Sequence, residues 1–144
     1  MMKIDSNFES GRIKILAATA ADDIRLELEK DNAACTRQWF YFSLETDSTD
    51  LHKISIQNAD RASFQAGWQD YSILTSFDGK RWFRTAAEFQ HGQLSFAFKP
   101  SGNRVYFAYF VPYPLARQEA LAAKVASHNL GQRQVLARTH EGRD

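Results

Sequence analysis

Only one cysteine, Cys35, occurs in the chain. A single thiol can make no internal disulfide, which suits a reducing compartment. Long apolar runs are missing too: nothing approaches the roughly 20 apolar residues of a membrane-spanning helix. The opening MMKIDSNFESG lacks the apolar centre of a secretory signal. These absences point to a cytoplasmic protein with no membrane partner. Net charge is nearly absent, 18 Lys+Arg against 17 Asp+Glu for a total of +1, so nothing recommends nucleic acid or an anionic surface as partner. The charge that exists is uneven: residues 1–50 carry 6 Lys+Arg against 10 Asp+Glu, and residues 99–144 carry 7 against 3. A modest dipole follows. Internal repeats and low-complexity segments are also missing.

The patterns that carry catalysis are equally scarce. A zinc hydrolase needs two or three ligands at fixed separation, and His52, His91, His128 and His140 show no such spacing. His140-Glu141 does not extend to H-E-x-x-H, because position 144 is Asp. These histidines read as solvated loop or interface residues. There is no G-x-S-x-G elbow, and Glu9-Ser10-Gly11 is better explained as a turn. Cys35, between two alanines and a threonine, reads as a small packing residue and not as a nucleophile. Neither a phosphate-cradling glycine loop nor a dinucleotide fingerprint is present. The residues therefore give no catalytic group, no metal ligand and no cofactor.

What the chain does have is aromatic side chains, 11 Phe, 5 Tyr and 3 Trp, in a length suited to one domain. Its organising stretch is RVYFAYFVPYPLARQEALAA, residues 104–123. Period-two alternation puts Val105, Phe107 and Tyr109 on one face and Tyr106, Ala108 and Phe110 on the other. Both faces are apolar, so something must pack over the second one. Pro112 and Pro114 end the strand, and Pro114 suits the first turn of a helix over residues 115–126, with Leu115, Leu121 and Val125 as its larger apolar anchors.

The remaining strands follow from the same alternation. Residues 6–16 predict a turn and a first strand with Ile13 and Ile15 inward. ADDIRLELEKD alternates Ile24, Leu26 and Leu28 against charged residues and is a strand, not a helix. Residues 32–36 form a loop. RQWFYFSLET places Phe40, Phe42 and Leu44 on one face, with Trp39, Tyr41 and Ser43 on the other. After a turn at residues 47–50, Ile54 and Ile56 mark a short strand. A polar loop covers residues 60–67, and residues 71–76 and 81–85 form a hairpin around Asp78-Gly79. Leu94, Phe96 and Phe98 define another strand. About eight strands with short turns predict an all-β, antiparallel β-sandwich with one C-terminal helix. Gly131 is a plausible helix stop, followed by a short alternation through Val135 and Ala137. The expected organisation is a sandwich with its closing helix over residues 1–126, then residues 127–144 as a linker and the start of something further.

The one polar constellation left is SFDGKRWFR. Its ordinary explanation is a hairpin with Trp82 and Phe83 covering the sandwich and Lys80, Arg81 and Arg84 in solvent. Its functional alternative is a ligand-facing edge, Lys80, Arg81, Trp82 and Arg84, that stacks on a sugar or another planar group. A tryptophan shortly after an Asp-Gly hairpin also occurs in carbohydrate-binding discoidin-like sandwiches.

Taken together, NFESGRI, RQWFYFSL, YSILTSFDGKRWFR, FAYFVPYPLARQEAL and LARTHEGRD resemble the amino-terminal β-sandwich of cytosolic carboxypeptidases. That group is a branch of the carboxypeptidase A superfamily of zinc metallocarboxypeptidases and includes tubulin deglutamylases. The likeness covers almost the whole chain, and FAYFVPYPLARQ is its most specific part. It implies a parent protein that hydrolyses C-terminal peptide bonds with a zinc-activated water, through a His-x-x-Glu pair, a later His and a downstream glutamate base. None of those elements occurs here. No catalytic or metal residue carries over, Glu141 included, and zinc is expected in the parent alone.

The resemblance also implies a partner for the spare aromatic face, the peptidase domain of the same polypeptide. The expected interface residues are Trp39, Tyr41, Phe110, Pro112, Tyr113 and Arg117. Left without that partner, the face would drive self-association. A free-standing carbohydrate- or peptide-binding module and a purely structural or oligomerising module are the competing readings.

Overall fold

The computed structural model describes residues 1–140 and 142. Glu141 and Arg143, and with them the EGR element, lie outside the described residues. The chain forms two compact units, Met1–Pro112 and Tyr113–Asp144, dividing at the proline pair.

The first unit contains nine strands: β1 (Met2–Asp5), β2 (Lys14–Ala20), β3 (Asp23–Glu27), β4 (Tyr41–Thr46), β5 (His52–Ile56), β6 (Ser72–Ser76), β7 (Phe83–Gln90), β8 (Gln93–Phe98) and β9 (Arg104–Ala108). They run in the order β1-β4-β9-β6-β7-β8-β5-β3-β2. The order folds into two layers because β7 serves both. Its first half pairs with β6 (Thr75 opposite Phe83) and its second with β8 (Glu88 opposite Ser95). Every pairing is antiparallel except β3 with β5, which is parallel. The all-β sandwich thus holds, with nine strands where about eight were expected and one parallel rung. The strand missed was β1, a four-residue edge strand with a single buried side chain, Ile4, too short to show a period.

Between the layers lies one core in which Phe40, Phe42, Leu44, Ile54, Ile56, Ile73, Leu94, Val105 and Phe107 are buried. Ile24, Leu26 and Leu28 are buried with them, as their alternation required. Ile15 is the exception. Ile13 is buried, but Ile15 is 46% exposed. Arg12 still bridges Tyr41 in the first layer, whereas β2 belongs to the second and shifts register between Ile15 and Ala17. Period two does not survive a change of sheet with a bulge.

His52 is a second departure. It is fully buried in β5, its Nδ1 donating to the Asp50 carbonyl at 2.8 Å, while Nε2 has no partner. It is neither a loop nor an interface residue. The polar loop at residues 60–67 holds two short 3-10 turns, Ala59–Arg61 and Gln65–Trp68. Trp68 leaves the second of them for the core and donates Nε1–H to the Ala59 carbonyl at 2.9 Å.

In the second unit α1 (Leu115–Ala126) matches the predicted helix. Pro114 sits at its N-cap, just before the first turn, and its carbonyl accepts from Arg117 and Gln118. None of the helix residues is buried. Gly131 follows the helix end, and its role is close approach: a Cβ there would stand 1.9 Å from the Val125 carbonyl oxygen. No strand forms around Val135 and Ala137.

Candidate interdomain surface

The apolar second face of β9 has an answer within the chain. On the outer side of the first layer Ser43 and Ser76 flank Tyr106, and Tyr41 stands beside Ala108. These small neighbours leave room for rings to lie across the sheet. Two loops supply them. The residues between β1 and β2 bring Phe8 edge-on to Tyr41 at 4.8 Å and to Tyr106 at 6.0 Å. The β6–β7 loop brings Trp82 to Tyr41 at 5.9 Å. Tyr41 is left only 9% exposed, and burial, with Tyr106 beside it, raises its phenol above the ordinary range. The Phe8 turn requires Gly11, since a Cβ there would lie 2.2 Å from the Ser6 carbonyl oxygen.

This cover stops short of one end, where β4 begins and β9 finishes. Trp39 is half-buried, its Nε1–H donating to the Ser10 carbonyl at 2.7 Å, and its ring lies 6.3 Å from Tyr41 and 6.5 Å from Phe110. Phe110 is 59% exposed and Val111 is exposed beside it. Beneath them Phe40, Trp68, Tyr71 and Tyr109 form a tight aromatic floor with centroids 5.3–6.4 Å apart. Tyr71 donates its hydroxyl to the Tyr109 carbonyl at 2.6 Å, and burial drives its phenol well up. A cleft of about 300 Å³ adjoins Trp39, lined by Arg12, Glu29, Asp31, Thr36, Gln38 and Trp39.

Of the six residues expected at an interface, Trp39, Tyr41, Phe110 and half-buried Pro112 belong to the first unit, with Tyr41 already covered by its own chain. Tyr113 and Arg117 belong to the second, where the guanidinium lies over the Tyr113 ring at 4.9 Å. Sequence reasoning missed Phe64, 61% exposed. Reciprocal hydrogen bonds with Gln38 hold it next to this end. A lone aromatic in a polar loop carries no period, and only its chemistry could have drawn attention to it.

The β6–β7 hairpin carries the four residues of the alternative ligand edge, Lys80, Arg81, Trp82 and Arg84. Its loop is longer than a tight turn, because Thr75 pairs with Phe83. The β7 strand begins at Phe83 and not Arg81, and runs on to Gln90. Asp78 organises the loop, accepting from the Lys80 and Arg81 amides at 2.9 and 2.8 Å, with Gly79 at a φ of 69°. These donors hold its carboxyl well below the usual range. Lys80, Arg81 and Arg84 are exposed, while the Trp82 ring turns inward to Tyr41. Among the described residues no three His, Cys, Asp or Glu side chains meet as a metal requires, so these residues do not fit a zinc site. Among the described residues no helix is long and apolar enough to cross a membrane.

Residues 4–110 match the family model of the cytosolic carboxypeptidase N-terminal domain. The chain belongs to this family. This carboxypeptidase N-terminal domain is similar to a metallo-carboxypeptidase from Burkholderia cenocepacia, with 31% identity and a TM-score of 0.96 over 99% of this chain and 37% of that one. It is similar as well to a metallo-carboxypeptidase from Pseudomonas aeruginosa, solved in complex with (2-guanidinoethylmercapto)succinic acid. There the identity is 31% and the TM-score 0.95, over 99% of this chain and 38% of that one. An uncharacterized protein of Zymomonas mobilis is 30% identical over 141 residues, 98% of this chain and 37% of the relative. The chain spans a little over a third of the length of these relatives.

Proposed function

We propose that this domain is a non-catalytic accessory part of a zinc metallocarboxypeptidase, packed against the peptidase domain to assist its folding or to shape access to its cleft. Residues 127–144 then act as the linker and the first residues of that domain. One observation carries the reading. On the outer face of the first layer Phe8 and Trp82 cover Tyr41, while Trp39 stays half-buried and Phe110 and Val111 exposed, and the family match stops at residue 110, at that same end.

Burying about 300 Å² of apolar surface there would contribute roughly 7 kcal/mol before the costs of association. That is ample when the partner is tethered and loss of translational freedom is small. Zinc, when bound in the peptidase domain, would supply the activated water for hydrolysis of the C-terminal peptide bond. The part of this chain is to support and orient. On its own, the exposed end drives self-association.

The test compares two forms of a polypeptide in which this chain is followed by the peptidase domain, one intact and one lacking residues 1–112. An accessory domain predicts a large loss of soluble yield or of kcat/KM in the shortened form. Unchanged yield and turnover would remove the proposal.

A further inference from the structure

The helix α1 has no packed face. None of its 12 residues is buried, and helices shorter than about 12–15 residues are marginal in water unless an apolar face is covered. Local signals do little to hold it. No side chain caps its first turn, and no acidic residue stands there to meet the helix dipole. A spacing of four sets Tyr113, Arg117, Leu121 and Val125 down one side of the helix and of the turn before it. The Arg117 guanidinium lies over the Tyr113 ring, and Tyr113, Leu121 and Val125 are each about half exposed. A groove of about 650 Å³ opens between Gln118, Glu119 and Ala122 of α1 and residues 133–137. The segments of this unit leave α1 open to solvent.

What covers the face follows from where two matches end. The N-terminal domain family stops at residue 110 and leaves α1 out. The longer metallo-carboxypeptidases match 99% of this chain, α1 included, and the chain spans only 37–38% of their length. The helix therefore goes with the polypeptide beyond the sandwich and not with the sandwich family. We infer that α1 lays Leu121 and Val125 against the peptidase domain that follows residue 144, and is held in helical form by that contact. The inference rests on the reading that a peptidase domain follows this chain. It adds a helical contact of the second unit to the aromatic end of the first.

The experiment compares backbone hydrogen exchange over residues 119–126 in the 144-residue chain and in the polypeptide carrying the peptidase domain, each at two well-separated protein concentrations. Exchange slowed at least tenfold in the longer polypeptide, at both concentrations, is the expected result. Equal exchange in the two forms overturns the inference. Protection in the 144-residue chain that rises with concentration to the level of the longer form also overturns it, because the face would then belong to a second copy. In parallel, Leu121→Glu keeps a good helix former and places a charge on the face. It should lower the folded-to-unfolded ratio of the longer polypeptide at least tenfold and shift that of the 144-residue chain less than twofold, and equal effects overturn the inference. If the variant does not fold, the wild-type exchange comparison decides alone. Backbone amides at Trp39 and Phe110 separate the two failures. Slowing there with no change in α1 leaves the sandwich docking and removes the helical contact, whereas slowing in α1 alone removes the sandwich docking and leaves the helical contact.

Discussion

Replacing Asn58 by alanine tests how the parallel rung of the sandwich is closed. The β3–β5 ladder ends where the Gln57 amide donates to the Leu26 carbonyl at 2.8 Å, because the chain then turns away into a 3-10 turn. Leu28 is buried one step further on, with backbone groups that the ladder no longer reaches. The Asn58 side chain takes both: Oδ1 accepts the Leu28 N–H at 2.8 Å and Nδ2 donates to the Leu28 carbonyl at 3.1 Å. Alanine would orphan two buried backbone groups at about 1–3 kcal/mol each. Allowing for some rehydration near the surface, we expect a loss of about 3 kcal/mol, read by urea unfolding with tryptophan fluorescence.

Asn58→Asp sharpens the test. It keeps the acceptor and turns a carboxylate toward the Leu28 carbonyl, so the folded state favours the protonated acid and its pKa rises on folding. A group raised in this way stabilises fully below its unfolded value, about 3.9, and loses that stability as pH climbs through the folded value. The aspartate variant should therefore be weak at neutral pH and recover toward wild type in acid. A cost under about 0.5 kcal/mol for alanine, against the range for an unmade buried bond, would refute the reasoning. So would an aspartate variant indifferent to pH.

Other consequences are more quickly stated. The lowered carboxyl of Asp78 contributes stability above the unfolded carboxylate value that is lost as pH falls through the folded value. Urea midpoints from neutral to acidic pH should therefore drop more steeply for wild type than for Asp78→Asn. Phe107→Ala, emptying a site ringed by Phe42, Phe96 and Phe98 at 5.1–5.4 Å, should cost about 3–5 kcal/mol in the same assay. Gly11→Ala must displace the Ser6 carbonyl and with it Phe8. Ultraviolet titration should then find the Tyr41 phenol closer to its ordinary value. Phe110→Ser should reduce sedimentation-detected self-association of the 144-residue chain, and an unchanged profile would locate the sticky surface elsewhere.

The sequence was legible wherever one sheet kept one period. Ile24, Leu26 and Leu28 in β3, and Leu94, Phe96 and Phe98 in β8, could be assigned to the core from alternation alone. Legibility failed where the chain changed partners. Ile15 lost its place when the strand entry crossed from one layer to the other. The β6–β7 turn lengthened because the Asp78 carboxylate, by collecting the Lys80 and Arg81 amides, builds a wide loop in place of a tight one.

The candidate surface was half visible. Two-sided apolarity in β4 and β9 correctly demanded a cover, and the ordinary reading of the hairpin already laid Trp82 over the sandwich, but alternation could not say that Phe8 joins it. It could not reveal Phe64 either, because an isolated side chain in an irregular segment becomes informative only when its neighbours are known. The histidine reading holds for exposed His91, His128 and His140 and failed at His52 for the same reason, since nothing local distinguishes a buried histidine from a solvated one.

An accessory domain must have the end bearing Trp39, Phe110 and Val111 covered by the peptidase domain. Backbone hydrogen exchange, compared between the 144-residue chain and the polypeptide that continues into that domain, measures this directly. Exchange slowed tenfold or more at those three residues, with the β2 edge unaffected, is the predicted result. Identical rates in the two forms would contradict it.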